Sequence, residues 1–200
     1  MMPRMNGYKL CKTIKEDINI SHIPVILLTA RDDRQSQISG YKNGADGYLS
    51  KPFEVEMLME LIRNRLKNRE YTKKRYLNAG LIPTPEESTI SLTDETFLIK
   101  LNSIIQENIE NSNLGIQFIC QEVGLGRSSL YNKLKALTGM GANEYISKLR
   151  IEKAITLISG TDMPFSEIAE KTGFTTPSYF STAFKQYTGE TPSQYKERKK

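Results

Sequence analysis

KALTGMGANEY (residues 135–145) and KQYTGETPSQY (185–195) are two versions of one phrase. Lys135/Lys185, Thr138/Thr188, Gly139/Gly189 and Tyr145/Tyr195 coincide at an offset of 50 residues. Each phrase closes a longer matching unit, ICQEVGLGRSSLYNKLKALTG (119–139) and IAEKTGFTTPSYFSTAFKQYTG (168–189). In each, apolar residues at helical spacing precede a glycine, and a second helical pattern follows it. A duplicated helix-turn-helix is a device for placing two helices in the major groove of DNA, so this repeat decides the fold and the functional reading.

Within the first unit, Ile116, Ile119, Cys120 and Val123 share one face of a short helix, which Gly124 ends. Glycine reaches the left-handed conformation of such a turn without strain. In the following helix, started by Arg127 or Ser128, Leu130, Leu134 and Leu137 face inward. Ser128, Tyr131, Asn132 and Lys135 are left outward. In the second unit Ile168, Ala169 and Thr172 precede Gly173. Phe174, Tyr179, Phe180 and Phe184 supply the apolar face, leaving Ser178, Ser181, Thr182 and Lys185 outward. One such unit occurs in many helical proteins that touch no nucleic acid. Two, closed by the same Thr-Gly and joined by one long helix, favour DNA.

Outward from the repeat, everything after Leu92 reads as helix: about 94–112, with Thr93 as its cap, then the first unit, a long helix over 142–159, the second unit and a last helix over 192–198. Residues before about 68 alternate instead. Gly7–Glu16 is predicted helical, IPVILLTA (23–30) a buried strand, 32–40 a helix, DGYLSK (46–51) a second strand and 54–68 a helix that runs on to about Leu77. That order implies a parallel α/β sheet. AGLIPTPEEST (79–89), with Pro83 and Pro85, stops the last helix. The predicted architecture is therefore an α/β segment over 1–68, a linker over 69–91 and an all-α domain over 92–200 with two helix-turn-helix motifs joined by a long helix.

Composition restricts the chemistry. Hydrophobic residues make up 38% and charged residues 26% of the 200 positions, which fits a soluble globular chain. No apolar run approaches the roughly 20 residues a membrane span needs. Nor does MMPRMNGYK carry the apolar core of a signal peptide. Two cysteines in separate segments favour a reducing cytoplasm, and the single His22 excludes a multi-histidine metal site. No cofactor or metal is expected. IPVILLTA is followed by Arg31, Asp32 and Asp33 rather than a Gly-rich phosphate loop, and His22 has no nucleophile beside it, so catalysis is not expected. The net charge of +5 does not sit in the repeat: residues 1–90 carry 15 Lys+Arg against 11 Asp+Glu, and the remainder 13 against 12. The excess crowds into RNRLKNREYTKKRY (63–76). That stretch reads first as a solvated helix face; the other reading is contact with DNA backbone or a second copy.

Residues 92–200 resemble the AraC-type DNA-binding domain. The second unit carries the family pattern: Gly173–Phe174, Ser178–Tyr179–Phe180, Phe184–Lys185, Gly189 and Thr191–Pro192 with Tyr195. The linking helix YISKLRIEKAITLIS (145–159), with Arg150 and Ala154, is in the same style. The first unit is looser, with Ala142 where proline is common. The resemblance implies that each second helix enters a major groove, the two being held about one DNA turn apart, roughly 34 Å. Arg127, Ser128, Tyr131 and Asn132 would then serve one groove and Ser178, Ser181 and Thr182 the other, with Lys135 and Lys185 meeting phosphate. Only Asn132 could make a bidentate pair with adenine.

MMPRMNGYKLC, IPVILLTA and GADGYLSKPF resemble the latter part of a response-regulator receiver domain. In that likeness Thr29 is the switch hydroxyl, Tyr48 the switch aromatic and Lys51 the phosphate-pairing cation, and Lys51–Pro52 is a cis peptide. The acidic metal pair and the acceptor aspartate have no counterpart; the acceptor would fall just before residue 1. Asp17, Asp32, Asp33 and Asp46 sit on helices and turns and do not replace them. The resemblance thus implies the C-terminal piece of a hybrid two-component regulator whose receiver is incomplete and not phosphorylatable. Two strands would leave one edge of the sheet bare, which suggests self-association or a homodimer through the receiver segment. Double-stranded DNA is the expected partner, RNA polymerase a further one, and no membrane contact is expected. The competing reading is an interaction or dimerisation module with little DNA affinity.

Overall fold

The computed structural model describes residues 5–30, 33–79 and 91–199. The Met2–Pro3 pair, Asp32 and the Pro83/Pro85 linker lie outside them. The described chain divides into two compact units, residues 1–99 with 132–139 and residues 100–131 with 140–200.

The first unit begins with α1 (Gly7–Glu16), capped by the Asn6 side chain, which accepts from the Lys9 N–H at 2.8 Å. Strand β1 (Ile26–Thr29), helix α2 (Arg34–Lys42) and strand β2 (Gly47–Ser50) form a parallel crossover, with Ile26 beside Gly47 and Thr29 beside Ser50. Asp33 caps α2 through the Ser36 N–H. A methyl group on Gly40 of α2 would stand 2.9 Å from the Tyr48 ring, so helix and strand pack with no spare room. Asp46 accepts from the Val25 N–H at 2.7 Å and pairs with Lys15 at 2.7 Å, holding the strand starts together. Helix α3 (Val55–Ala79) is a single helix of 25 residues, two past the expected end.

The strands are shorter than IPVILLTA and DGYLSK suggested. Pro24 has no N–H to give a ladder, and pairing begins at Ile26. Coverage is unequal: Tyr48 and Leu49 of β2 are buried, whereas Leu28 of β1 is 42% exposed.

Helix α4 (Leu92–Glu107) departs from expectation at both ends. Its cap is Ser91, whose hydroxyl accepts from the Asp94 N–H at 3.2 Å; Thr93 lies inside the helix and donates its hydroxyl to the Lys15 carbonyl at 3.0 Å. It stops at Glu107 because three asparagines offer the backbone other partners. Asn108 donates back to the Ile104 carbonyl, and Asn111 accepts from the Asn113 N–H.

Helix α5 (Ile116–Val123) and α6 (Arg127–Thr138) make the first helix-turn-helix, and α7 (Ala142–Gly160) the long link. The second comprises α8 (Phe165–Lys171) and α9 (Pro177–Thr188), followed by α10 (Pro192–Lys199). In the second unit α7, α8 and α9 share a core of Ile151, Ala154, Ile158, Ile168, Ala169, Phe174, Phe180 and Phe184. Phe184 meets Phe180 and Tyr195 in edge-on contacts, with ring centres 5.7 and 5.5 Å apart. Such pairs add about 0.5–1.5 kcal/mol each beyond burial.

Candidate nucleic-acid interface

The two motifs are built alike from different materials. In the first, Ile119, Cys120 and Val123 turn inward, and Gly124 takes φ 74°. The Gly124 and Leu125 N–H groups both return to the Cys120 carbonyl at 3.0 Å, closing the helix as left-handed caps do. Three residues later α6 starts at Arg127. Leu130, Leu134 and Leu137 are buried. Ser128, Tyr131, Asn132 and Lys135 are exposed. Their spacing of three and four residues aligns them in one stripe along the helix. Arg127 is exposed too, its guanidinium directed to the Gln117 side chain at 3.4 Å.

In the second motif the turn is longer. Gly173 takes φ 71°, and a methyl group there would stand 2.2 Å from the Ile109 carbonyl oxygen and 2.8 Å from the Arg150 guanidinium. Only glycine fits. Thr176 caps α9 through the Tyr179 N–H at 3.2 Å, with Pro177 in the first turn. Arg150 donates to the Asn111 carbonyl at 2.7 Å and lies over the Phe174 ring; burial pulls its pKa below the usual arginine value. The linking helix thus clamps this turn.

Ser178, Thr182 and Lys185 are exposed on α9, while Ser181 is half-buried. The Thr182 hydroxyl donates to the Ser178 carbonyl at 3.0 Å, which leaves it as an acceptor toward a ligand. Tyr179 corrects the sequence reading: counted there with the apolar face, it is 57% exposed. Its ring packs edge-on against Phe174 with centres 5.7 Å apart. Its burial could not be read from hydrophobicity, because a tyrosine serves either side of a surface.

Thr138 and Thr188, the matched threonines, each donate to the carbonyl four residues back, Leu134 and Phe184, at 2.8 Å. Gly139 and Gly189 follow at φ 79° and 85°. The repeat is a pair of identical helix stops. The matched tyrosines differ. Tyr145 is buried and donates to Asn102 at 2.8 Å, and burial pushes its phenol up to about 12.

The receiver-like residues lie together at the strand ends. Thr29 ends β1, and its carbonyl accepts the Lys51 N–H at 2.6 Å; Lys51–Pro52 is cis. Burial raises the Tyr48 phenol, and the Thr29 hydroxyl bonded to it lowers it in part. The Lys51 side chain is exposed. The described aspartates of this segment have local duties. Asp33 caps α2, Asp46 holds Lys15, and Asp17 accepts from Asn19 at 2.9 and 3.0 Å. Among the described residues no group of three or more His, Cys, Asp or Glu could hold a metal ion. No described helix is long and apolar enough to cross a membrane.

Two helix-turn-helix motifs on a shared linking helix, preceded by a parallel α/β segment, define a class of DNA-binding protein. Comparison with known families agrees. Residues 119–198 match a helix-turn-helix domain family, and residues 1–63 match the response regulator receiver domain. The chain is 42% identical over 198 residues to histidine kinase P4 of Formosa agariphila, spanning 99% of this chain and 14% of that protein. It is similar to two solved structures. One is the C-terminal domain of the two-component response regulator yesN from Fusobacterium nucleatum, 32% identical, covering 48% of this chain and 93% of that one, with TM-score 0.45. The other is the C-terminal domain of AraT, a response regulator from Geobacillus stearothermophilus, 31% identical, covering 51% and 84%, with TM-score 0.48. The chain belongs to the response regulators that join a receiver domain to an AraC-type helix-turn-helix domain.

Proposed function

We propose that the chain binds double-stranded DNA sequence-specifically, as the output module of a two-component system. The observation that carries this is the matched pair of exposed stripes on α6 and α9, each backed by a fully buried apolar row. Asn132 reads an adenine edge, with Ser128 and Tyr131 beside it and Arg127 at the helix start. Ser178, Ser181 and Thr182 read the second groove, and Lys135 and Lys185 contact phosphate. The working domains are 1–68, 69–91 and 92–200. Gel shift at two salt concentrations tests the reading: affinity for a selected sequence falls steeply with salt yet stays above that for random DNA. Equal affinity for both at low salt contradicts it.

The receiver segment of residues 1–68 carries Thr29, Tyr48 and Lys51, and among its described residues each aspartate is held by a local partner: Asp17 by Asn19, Asp33 by Ser36 and Asp46 by Lys15. The 200-residue chain therefore gains no phosphate from acetyl phosphate with Mg²⁺. A stable mass gain of one phosphate contradicts this. The half-covered β1, with Leu28 exposed, favours a second function of this segment, self-association into a homodimer. RNA polymerase is the further partner of a bound regulator. No membrane contact or catalysis is proposed, and a cytoplasmic location follows from DNA as the target. An interaction module with little DNA affinity is the reading that a featureless gel shift would leave.

A further inference from the structure

Lys133 has no counterpart in the repeat. The offset that matches Lys135 with Lys185 matches Lys133 with Ala183, so a helix-turn-helix of this design needs no charge at that place. Yet Lys133 is fully buried, and its ammonium is placed with care. It pairs with Asp94 near the start of α4 and donates to the Ser21 hydroxyl at 2.7 Å. Ser21 in turn donates to the same Asp94 oxygen at 2.7 Å. Ser21 and Asp94 are themselves buried, at 0% and 3% exposure. The ammonium also lies 5.1 Å from the centre of the Phe97 ring. All these residues belong to the first unit. The cluster joins three stretches that are remote in sequence: the segment after α1, the start of α4 and the middle of α6.

A buried ion pair is poor evidence of stability, because desolvation offsets much of its attraction. Its geometry is nevertheless demanding, since a buried ammonium must keep its partners. Lys133 stands between Asn132 and Lys135, on the opposite side of α6 from the stripe that faces DNA. Whatever fixes Lys133 fixes the rotation of α6 about its axis, and with it the direction of Asn132.

We propose that the Ser21–Asp94–Lys133 cluster is a strut through which the receiver segment sets the orientation of the first DNA-reading helix, Lys133 being a positioning residue rather than a DNA contact. The inference rests on α6 reading DNA, as proposed above. It makes the first head, and not the second, dependent on a serine 112 residues away in sequence.

The test compares Asp94→Asn, Lys133→Met and Ser21→Ala with the wild-type chain, and with Lys135→Ala as a surface control. Two quantities are measured: amide hydrogen exchange of α6 and α9 without DNA, and the footprint on a sequence selected by the wild-type chain. Asp94→Asn and Lys133→Met each leave a buried charge without its partner, and are expected to speed exchange in 132–138 about tenfold or more. They remove protection from one of the two grooves and weaken binding about tenfold, while α9 exchange is unchanged. Ser21→Ala removes one hydrogen bond and gives a smaller change in the same direction, about threefold to tenfold. Lys135→Ala weakens binding without altering exchange. Should the first two variants fail to fold, Ser21→Ala decides alone. Unchanged α6 exchange and an unchanged footprint in the folded variants overturn the strut. A wild-type chain that binds no DNA overturns the functional reading instead, and the exchange data still judge the strut.

Discussion

The two reading heads have the same plan and different interiors. At three matched positions the first has Leu130, Lys133 and Leu134, and the second has Phe180, Ala183 and Phe184. The second head is held by aromatic rings that meet one another and the linking helix. The first is held by leucines and one buried ion pair. The ring contacts of the second head lie between residues 150 and 195. An ion pair borrows its partners, here Asp94 and Ser21, from other parts of the chain. The difference teaches that duplication preserved the helix stops and the outward stripe while the supports diverged. The second head is a fixed platform, and the first can be influenced.

The largest expected effects break the second platform. Phe180→Ala removes a fully buried ring and is expected to destabilise by about 3–5 kcal/mol, read from denaturant midpoints. Gly173→Ala comes next. Its methyl group would collide with the Ile109 carbonyl, so left-handed strain and a forced backbone shift together cost about 3 kcal/mol or more. Gly124→Ala is the matched change in the first head, where nothing lies within 4 Å; it costs only the strain, about 1–2 kcal/mol. Equal losses from the two glycine changes would show that the heads are supported alike.

On DNA the comparison inverts. Asn132→Ala is expected to cost about 1–3 kcal/mol of discrimination at a single base pair. Lys185→Ala should weaken all sequences alike and lower the salt slope by about 1. Competition assays at several salt concentrations separate the two behaviours. The smallest effect tests the link between the heads. The Tyr145 phenol is raised from 10 to about 12 in the folded chain, so the stability it contributes is complete below pH 10 and is lost as pH rises toward 12. Tyr145→Phe should flatten part of that alkaline fall and cost about 1 kcal/mol at neutral pH for the Asn102 hydrogen bond. The remaining slope belongs in part to Tyr187, which is also raised to about 12.

Most of this plan was legible in the sequence because its signals are local. Helical spacing placed α5 to α10 within a residue or two, and four glycines marked the left-handed turns that the structure contains at 124, 139, 173 and 189. Periodicity sorted Leu130, Leu134, Phe180 and Phe184 inward. What it missed depends on distant partners. Thr93 looked like a cap because its neighbours are acidic, but Ser91 caps and Thr93 bonds Lys15, 78 residues earlier. The sequence carried no sign of the buried Lys133, since nothing near it announces Asp94 or Ser21. Tyr179 was assigned inward by type, and the structure leaves it 57% exposed. Local rules find the elements; buried polar pairs between remote segments stay hidden from them.

Footprinting on a sequence selected from random DNA tests the central claim most directly. Two reading heads predict enrichment of a defined sequence, and protection of two major-groove segments about one helical turn, roughly 34 Å, apart. Asn132→Ala should relax preference in one segment, and changes at Ser178 or Thr182 in the other. A single protected segment, or no enriched sequence at all, would contradict the account.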